Sequence, residues 1–140
     1  MTYTVKDVAK ILGLSIYTIR FYDKEGLLPF VSRNKSGIRE FTESDLALFK
    51  MICCLKNAGM QLKDIRKYVD LCMEGPDTIE LRRTLLAEHR KEIIKQIASL
   101  HENLKIVDFK IEMYEAPNAV AIINEQRRKA YEEKRENNLL

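Results

Sequence analysis

The sequence predicts a mainly α fold, in which a head of short helices carrying one small β-hairpin is followed by a single long helix. Three observations lead there. Through most of residues 1–75 the apolar residues are spaced three and four apart, with capping residues and glycines at the breaks. One stretch departs from that spacing: "FVSRNKSGIREF" is β-prone at both ends and polar in its middle. From Ile79 to Tyr114 no glycine or proline interrupts, and an apolar residue returns at every seventh position. Apolar residues make up 46% and charged residues 32%, and tryptophan is absent, which suits a solvated helical protein better than a β-rich one.

The elements follow in order. Val5, Val8, Ala9 and Leu12 share one helix face, with Thr4 as cap and Asp7 completing a capping box. Gly13 breaks that helix, and Ser15 opens a second, "SIYTIRFYDKEG", which Gly26 ends. Two short helices across a tight glycine turn form a helix-turn-helix. Ile16 and Ile19 are expected to face inward. Tyr17, Arg20, Phe21 and Lys24 lie on another face, whose mixture of aromatic and basic groups is costly to bury and suited to a DNA major groove.

Pro29 stops the helical pattern. Phe30–Val31 and Ile38–Phe41 then flank a polar tip with Asn34, Ser36 and Gly37, which reads as a β-hairpin wing. Thr42, with Asp45 at the third position, caps a third helix that ends near Gly59. A fourth runs from Leu62 to about Met73 behind a weak cap, Gln61. The long helix has Ile79, Leu86, Ile93, Leu100, Val107 and Tyr114 at heptad d. Its a positions are Arg83, Arg90, Ile97, Leu104 and Ile111. A helix of this length spans ~54 Å, and a two-sided apolar seam along it calls for packing on its own chain or for a second copy, which the lack of a second long helix before it favours. The expected organisation is a winged helix-turn-helix DNA-binding domain at 1–75, a coiled-coil dimerisation helix at 76–116, and a tail at 117–140, partly helical or disordered. The arginines at a favour a first two heptads that leave the seam or meet acidic groups.

Charge supports the division. The net charge of +3 lies in residues 1–75, where 12 Lys/Arg face 9 Asp/Glu, while residues 76–140 balance at 12 each. Arg20, Lys24, Arg33, Lys35 and Arg39 fall within one 20-residue stretch, the footprint of a phosphate-binding surface or a chance solvated cluster. Lys6, Asp7 and Lys10 interrupt the N-terminal apolar residues as no signal peptide would allow, and no apolar run approaches the ~18 residues of a membrane span. A cytoplasmic protein with no membrane partner is expected.

These residues resemble the MerR family of bacterial transcriptional regulators. The resemblance rests on "TIRFYDKEGLL", on "SGIREF" followed by "TESDL", and on "LKNAGMQLKDI", in this order and spacing, and it covers about residues 3–115. It implies a homodimer joined through antiparallel long helices. Each head would grip half of an inverted repeat in double-stranded promoter DNA. Distortion of an over-spaced promoter would present it to bacterial RNA polymerase. Carried over by motif, Tyr17, Thr18, Arg20 and Tyr22 of the second helix and Arg33, Lys35, Gly37 and Arg39 of the wing would lie at the DNA. Phe21 stands where the family often has tyrosine, which removes one hydroxyl contact. The implied dimer interface is Ile93, Ile97, Leu100, Leu104, Val107, Ile111 and Tyr114.

The signal is narrowed by what the chain lacks. No cysteine follows Cys72, whereas the metal-sensing and iron–sulfur members carry theirs around the long helix and beyond. A zinc site shared between subunits matches no usual ligand spacing, and a 24-residue tail cannot enclose a drug-sized pocket. No metal or other cofactor is expected. The chain resembles the branch without an effector domain that responds to aldehydes, electrophiles or thiol stress, with its key cysteine just before "NAG". That motif falls on Cys54. Geometry on a helix separates the vicinal pair in the same sense: Lys50 stands at i−4 from Cys54, where an ammonium favours a thiolate. Cys53 lies on the Leu46–Phe49 row and reads as core filler. For Cys54 the physical alternatives stay open, a small buried hydrophobe or a sensor, and the resemblance favours the sensor. Cys72 reads as structural, with a resolving role as the alternative.

Other classes fit less of the chain. His89 and His101 stand too far apart on one helix to share a site and are expected to be solvated. There is no HExxH, phosphate-cradling loop or nucleophile elbow, so no enzyme is expected. A structural coiled-coil adaptor would account for residues 79–114 but not for the basic wing. A constitutive DNA-bending regulator or repressor without cysteine sensing accounts for everything except Cys54.

Overall fold

The computed structural model describes residues 1–140 as six α-helices and one two-stranded hairpin. Helix α1, Val5–Leu12, starts at Thr4, whose hydroxyl accepts from the Asp7 amide while the Asp7 carboxylate accepts from the Thr4 amide. That reciprocal bonding also holds the Asp7 carboxyl below its usual range. Gly13 closes α1 in the left-handed conformation at φ 67°, a position that suits glycine. Helix α2, Ile16–Lys24, starts at Ser15, which accepts from the Thr18 amide.

The hairpin pairs β1, Ser32–Arg33, with β2, Arg39–Glu40, in antiparallel register. The strands are shorter than the apolar runs suggested, because Val31 and Phe41 are spent on the core. The Val31 carbonyl takes the Arg39 guanidinium, and Phe41 bridges to Tyr3 instead. Asn34 organises the tip: its side-chain oxygen accepts from the Ser36 and Ile38 amides, and its amide nitrogen donates to Glu40. Gly37, at φ 77°, completes the reversal.

Helix α3, Glu43–Asn57, has the expected Thr42–Asp45 capping box, and α4, Leu62–Glu74, has no side-chain cap at Gln61. A 3₁₀ turn, Pro76–Thr78, leads into α5, Ile79–Glu115, and α6 is Ala119–Glu136. The tail beyond 116 is thus largely helical.

The chain divides into two compact units, Met1–Ile93 and Ile94–Leu140. The first has one continuous core, in which Val8, Ile19, Leu27, Phe49, Ile52 and Ile65 are fully or almost fully buried. Phe49 is central, with Phe41 stacked at 6.1 Å and Tyr22 edge-on at 5.8 Å. This compact unit runs on past residue 75, because Leu85 and Leu86 of α5 pack on the same core. The junction is further sewn by polar groups. The Thr78 hydroxyl donates to the Leu71 carbonyl at 2.6 Å, and Arg82 donates to the Gly75 carbonyl at 2.6 Å, which satisfies acceptors left over at the end of α4. The first two heptads therefore belong to the head. Arg83 pairs with Glu80 on its surface, and His89 is half-buried rather than solvated, three and four residues beyond Leu86 and Leu85.

The second unit contains no buried residue. Within it Gln126 of α6 donates to the Met113 sulfur of α5, and Arg128 pairs with Glu125 and Glu132 along α6.

Candidate nucleic-acid interface

The α2 helix turns two faces to two environments. Ile19 and Tyr22 point into the core, while Tyr17, Arg20, Phe21 and Lys24 are exposed, Tyr17 at 79%. Ile16 departs from the sequence expectation, and Tyr22 is largely enclosed. Ile16, expected inside, is 37% exposed in the first turn of α2. Tyr22, carried over as a DNA contact, is 7% exposed with its ring edge-on to Phe49. Burial, with the Cys53 thiol adding to it, pushes its phenol above the usual value. Tyr22 anchors the helix. Thr18 is half-buried and bonds to Ser15 through its hydroxyl.

In the wing, Arg33, Lys35 and Gly37 are exposed, and Arg33 donates to the Gly37 carbonyl across the tip at 2.8 Å. Arg39 behaves differently. Its guanidinium reaches back to Asp23 in the last turn of α2 at 2.9 Å and to the Val31 carbonyl, and its Nε is enclosed without a partner. Arg66 of α4 likewise bonds to the Glu25 carbonyl at the end of α2. Arginines from two elements thus grip one end of the exposed helix. The remaining cations of the stretch, Arg20, Lys24, Arg33 and Lys35, carry no ion pair, and they form the charged face of the head.

The residues 3–72 match the MerR HTH family regulatory protein family, and residues 46–106 match the MerR DNA-binding family. An HTH-type transcriptional regulator of Haemophilus influenzae is 43% identical over 123 residues, spanning 88% of this chain and 91% of that protein. The chain belongs to the MerR family. The regulator AdhR of Bacillus subtilis is 38% identical over 91 residues, 65% of each chain. Among solved structures, HiNmlR, a MerR family regulator lacking the sensor domain and bound to promoter DNA, is 44% identical. Its TM-score is 0.78, over 86% of this chain and 96% of that one. The chain is a DNA-binding transcriptional regulator of this family, with the family's long helix and wing.

In this MerR-family head the cysteines occupy distinct settings. Cys53 packs partly against the core, and burial pushes its thiol above the usual value. Cys54, next to it, is exposed, and Cys72 is intermediate. No three His, Cys, Asp or Glu side chains converge as a metal site, and no helix is long and apolar enough to cross a membrane.

On α5, Ile97, Leu100, Leu104, Val107, Ile111 and Tyr114 are all exposed, between 47% and 66%, while Ile93 is half-buried at the edge of the head. The heptad reading missed a second row on the same helix: Ile106 and Phe109 are 65% and 62% exposed, with Met113 a turn further on. Their spacing of three and four was the available signal. The sequence also passed over Thr78 and Arg82, whose partners are backbone carbonyls that no side-chain pattern reveals.

Proposed function

We propose that the chain acts as a homodimer, joined along the stripe from Ile93 to Tyr114, whose two heads grip an inverted-repeat promoter and distort it for RNA polymerase. The observation that carries this reading is a face of α2 and wing whose cations make no ion pair, in a molecule whose long helix leaves a heptad stripe of apolar side chains uncovered. Arg20 and Tyr17 reach base edges and phosphates from α2, and Lys35 and Arg33 neutralise phosphates from the wing, with Gly37 allowing close approach. In solution, a duplex carrying an inverted repeat should bind one dimer, and the affinity should fall steeply with salt. Arg20→Ala should reduce discrimination between sequences and Lys35→Ala should weaken all duplexes alike. Binding indifferent to both changes would overturn the assignment.

The proposed signal is an electrophile at Cys54, whose exposure favours it over Cys53. Addition of its sulfur to the β-carbon of an unsaturated aldehyde forms one C–S bond, and the thiol proton ends on the α-carbon. Steric pressure from the adduct would pass along α3 to Phe49, on which Tyr22 of α2 rests. A Cys54→Ser chain should bind DNA normally and fail to respond to the aldehyde in a promoter–reporter assay. A normal response would favour the regulator without cysteine sensing.

A further inference from the structure

The sequence groups Arg39 with the cations of the wing, but the structure gives it another neighbour set. Asp23 sits in the last turn of α2, next to the negative end of the helix dipole, where a carboxylate is unfavourable unless a cation meets it. Arg39 meets it at 2.9 Å, with side chains 25% and 30% exposed, and spends a second nitrogen on the Val31 carbonyl. One planar guanidinium therefore ties β2 to α2 and to the segment that enters the hairpin. Arg33 and Lys35, in the same wing, are exposed and have no carboxylate partner.

We infer that Asp23 and Arg39 are a positioning pair that sets the wing against the recognition helix, so that Arg39 serves sequence discrimination through Asp23 and neutralises no phosphate. The inference rests on the DNA-binding face described above. A rigid wing presents Arg33 and Lys35 to the backbone at one fixed offset from Tyr17 and Arg20, and that offset lets base contacts and phosphate contacts form together. A loosened wing keeps its phosphate contacts and loses their register with the bases. The charge arithmetic agrees, since the pair is neutral and adds nothing to the basic face.

Asp23→Asn separates the two roles for Arg39, because it leaves Arg39 in place and removes a negative charge from a DNA-binding surface. If Arg39 were a phosphate contact, the variant would bind DNA as tightly as the wild type or more so. As a positioning pair, the variant should bind a duplex selected by the wild-type protein from a randomised pool about fivefold more weakly. Binding to an unrelated duplex of equal length should be unchanged or tighter, and Asp23→Glu should recover most of the loss. Arg39→Lys provides a second measurement that leaves α2 untouched. Lysine keeps the charge but cannot span both the Asp23 carboxylate and the Val31 carbonyl, so discrimination should fall while the salt slope stays at the wild-type value. Wild-type discrimination in either variant, with thermal midpoints confirming folded protein, overturns the inference. Failure of the wild-type protein to enrich any duplex from the pool would instead overturn the DNA-binding reading itself.

Discussion

Residues 1–93 and 94–140 are both mostly helical, yet they solve the problem of stability in opposite ways. The first unit wraps five helices and a hairpin around Phe49, Ile52 and Ile65, all shielded from solvent, and satisfies its helix ends with Thr4, Ser15, Thr42 and Thr78. The second carries Ile97, Leu100, Leu104, Val107 and Ile111 along one helix but buries none of them. A helix with an uncovered apolar stripe gains little from its own sequence, since helical stability in proteins comes mostly from packing of the apolar face. The contrast separates the head, which folds from within its own chain, from the distal helix, whose stripe is where the proposed second copy would supply the packing.

Charges placed in the stripe should break that contrast most severely. Leu100→Glu combined with Leu104→Glu puts two carboxylates where apolar contact is proposed, and should raise the dimer dissociation constant at least ~1,000-fold. Sedimentation would show monomers, and binding to an inverted repeat would collapse with it. The head should keep its unfolding transition. A dimer that survives the double change would mean that the stripe has another occupant.

Phe49→Ala attacks the other side of the comparison. Emptying the centre of the head should cost about 3–5 kcal/mol, read as a lower urea midpoint for loss of helix. DNA binding should fall with it, because Tyr22 and hence α2 lean on that ring. Dimerisation should persist in sedimentation, since the stripe is untouched. Parallel loss of both would show that the two units depend on each other.

The head was largely legible in the sequence because its boundaries are chemical and local. Thr4, Ser15 and Thr42 start helices, and Gly13 and Gly26 end them, each for reasons contained within four residues. The exposed α2 face was legible for the same reason, through helical spacing. What the sequence did not reveal was long-range. Arg39 looked like one more wing cation because its carboxylate lies 16 residues away in sequence. Tyr22 was carried over by motif, and the packing of its ring on Phe49 was not legible because Phe49 belongs to another helix. His89 looked solvated because its neighbours in sequence are charged, although the core packs against Leu85 and Leu86 a turn earlier. In the second unit the heptad was legible and the Ile106–Phe109 row was not, since a search for one seam does not look for a second.

The smallest expected effects concern two helix starts that share a backbone and differ in chemistry. Thr42 and Gln61 both precede their helices in the extended conformation that lets a short side chain reach back, at φ −89°, ψ 173° and φ −70°, ψ 148°. Thr42 uses it: its hydroxyl accepts from the Asp45 amide, and Asp45 returns the bond. Gln61 makes no such bond, because its side chain is one methylene too long for the geometry of a cap. Thr42→Ala should therefore lower the stability of the head by about 1 kcal/mol. Gln61→Ser should raise it by about 0.5–1 kcal/mol, since the backbone is already placed and only the acceptor is missing. Urea midpoints for the two variants should move in opposite directions with unchanged slopes, and dimer dissociation should be unaffected by either. A Gln61→Ser chain no more stable than the wild type would mean that the long side chain contributes packing that the serine gives up.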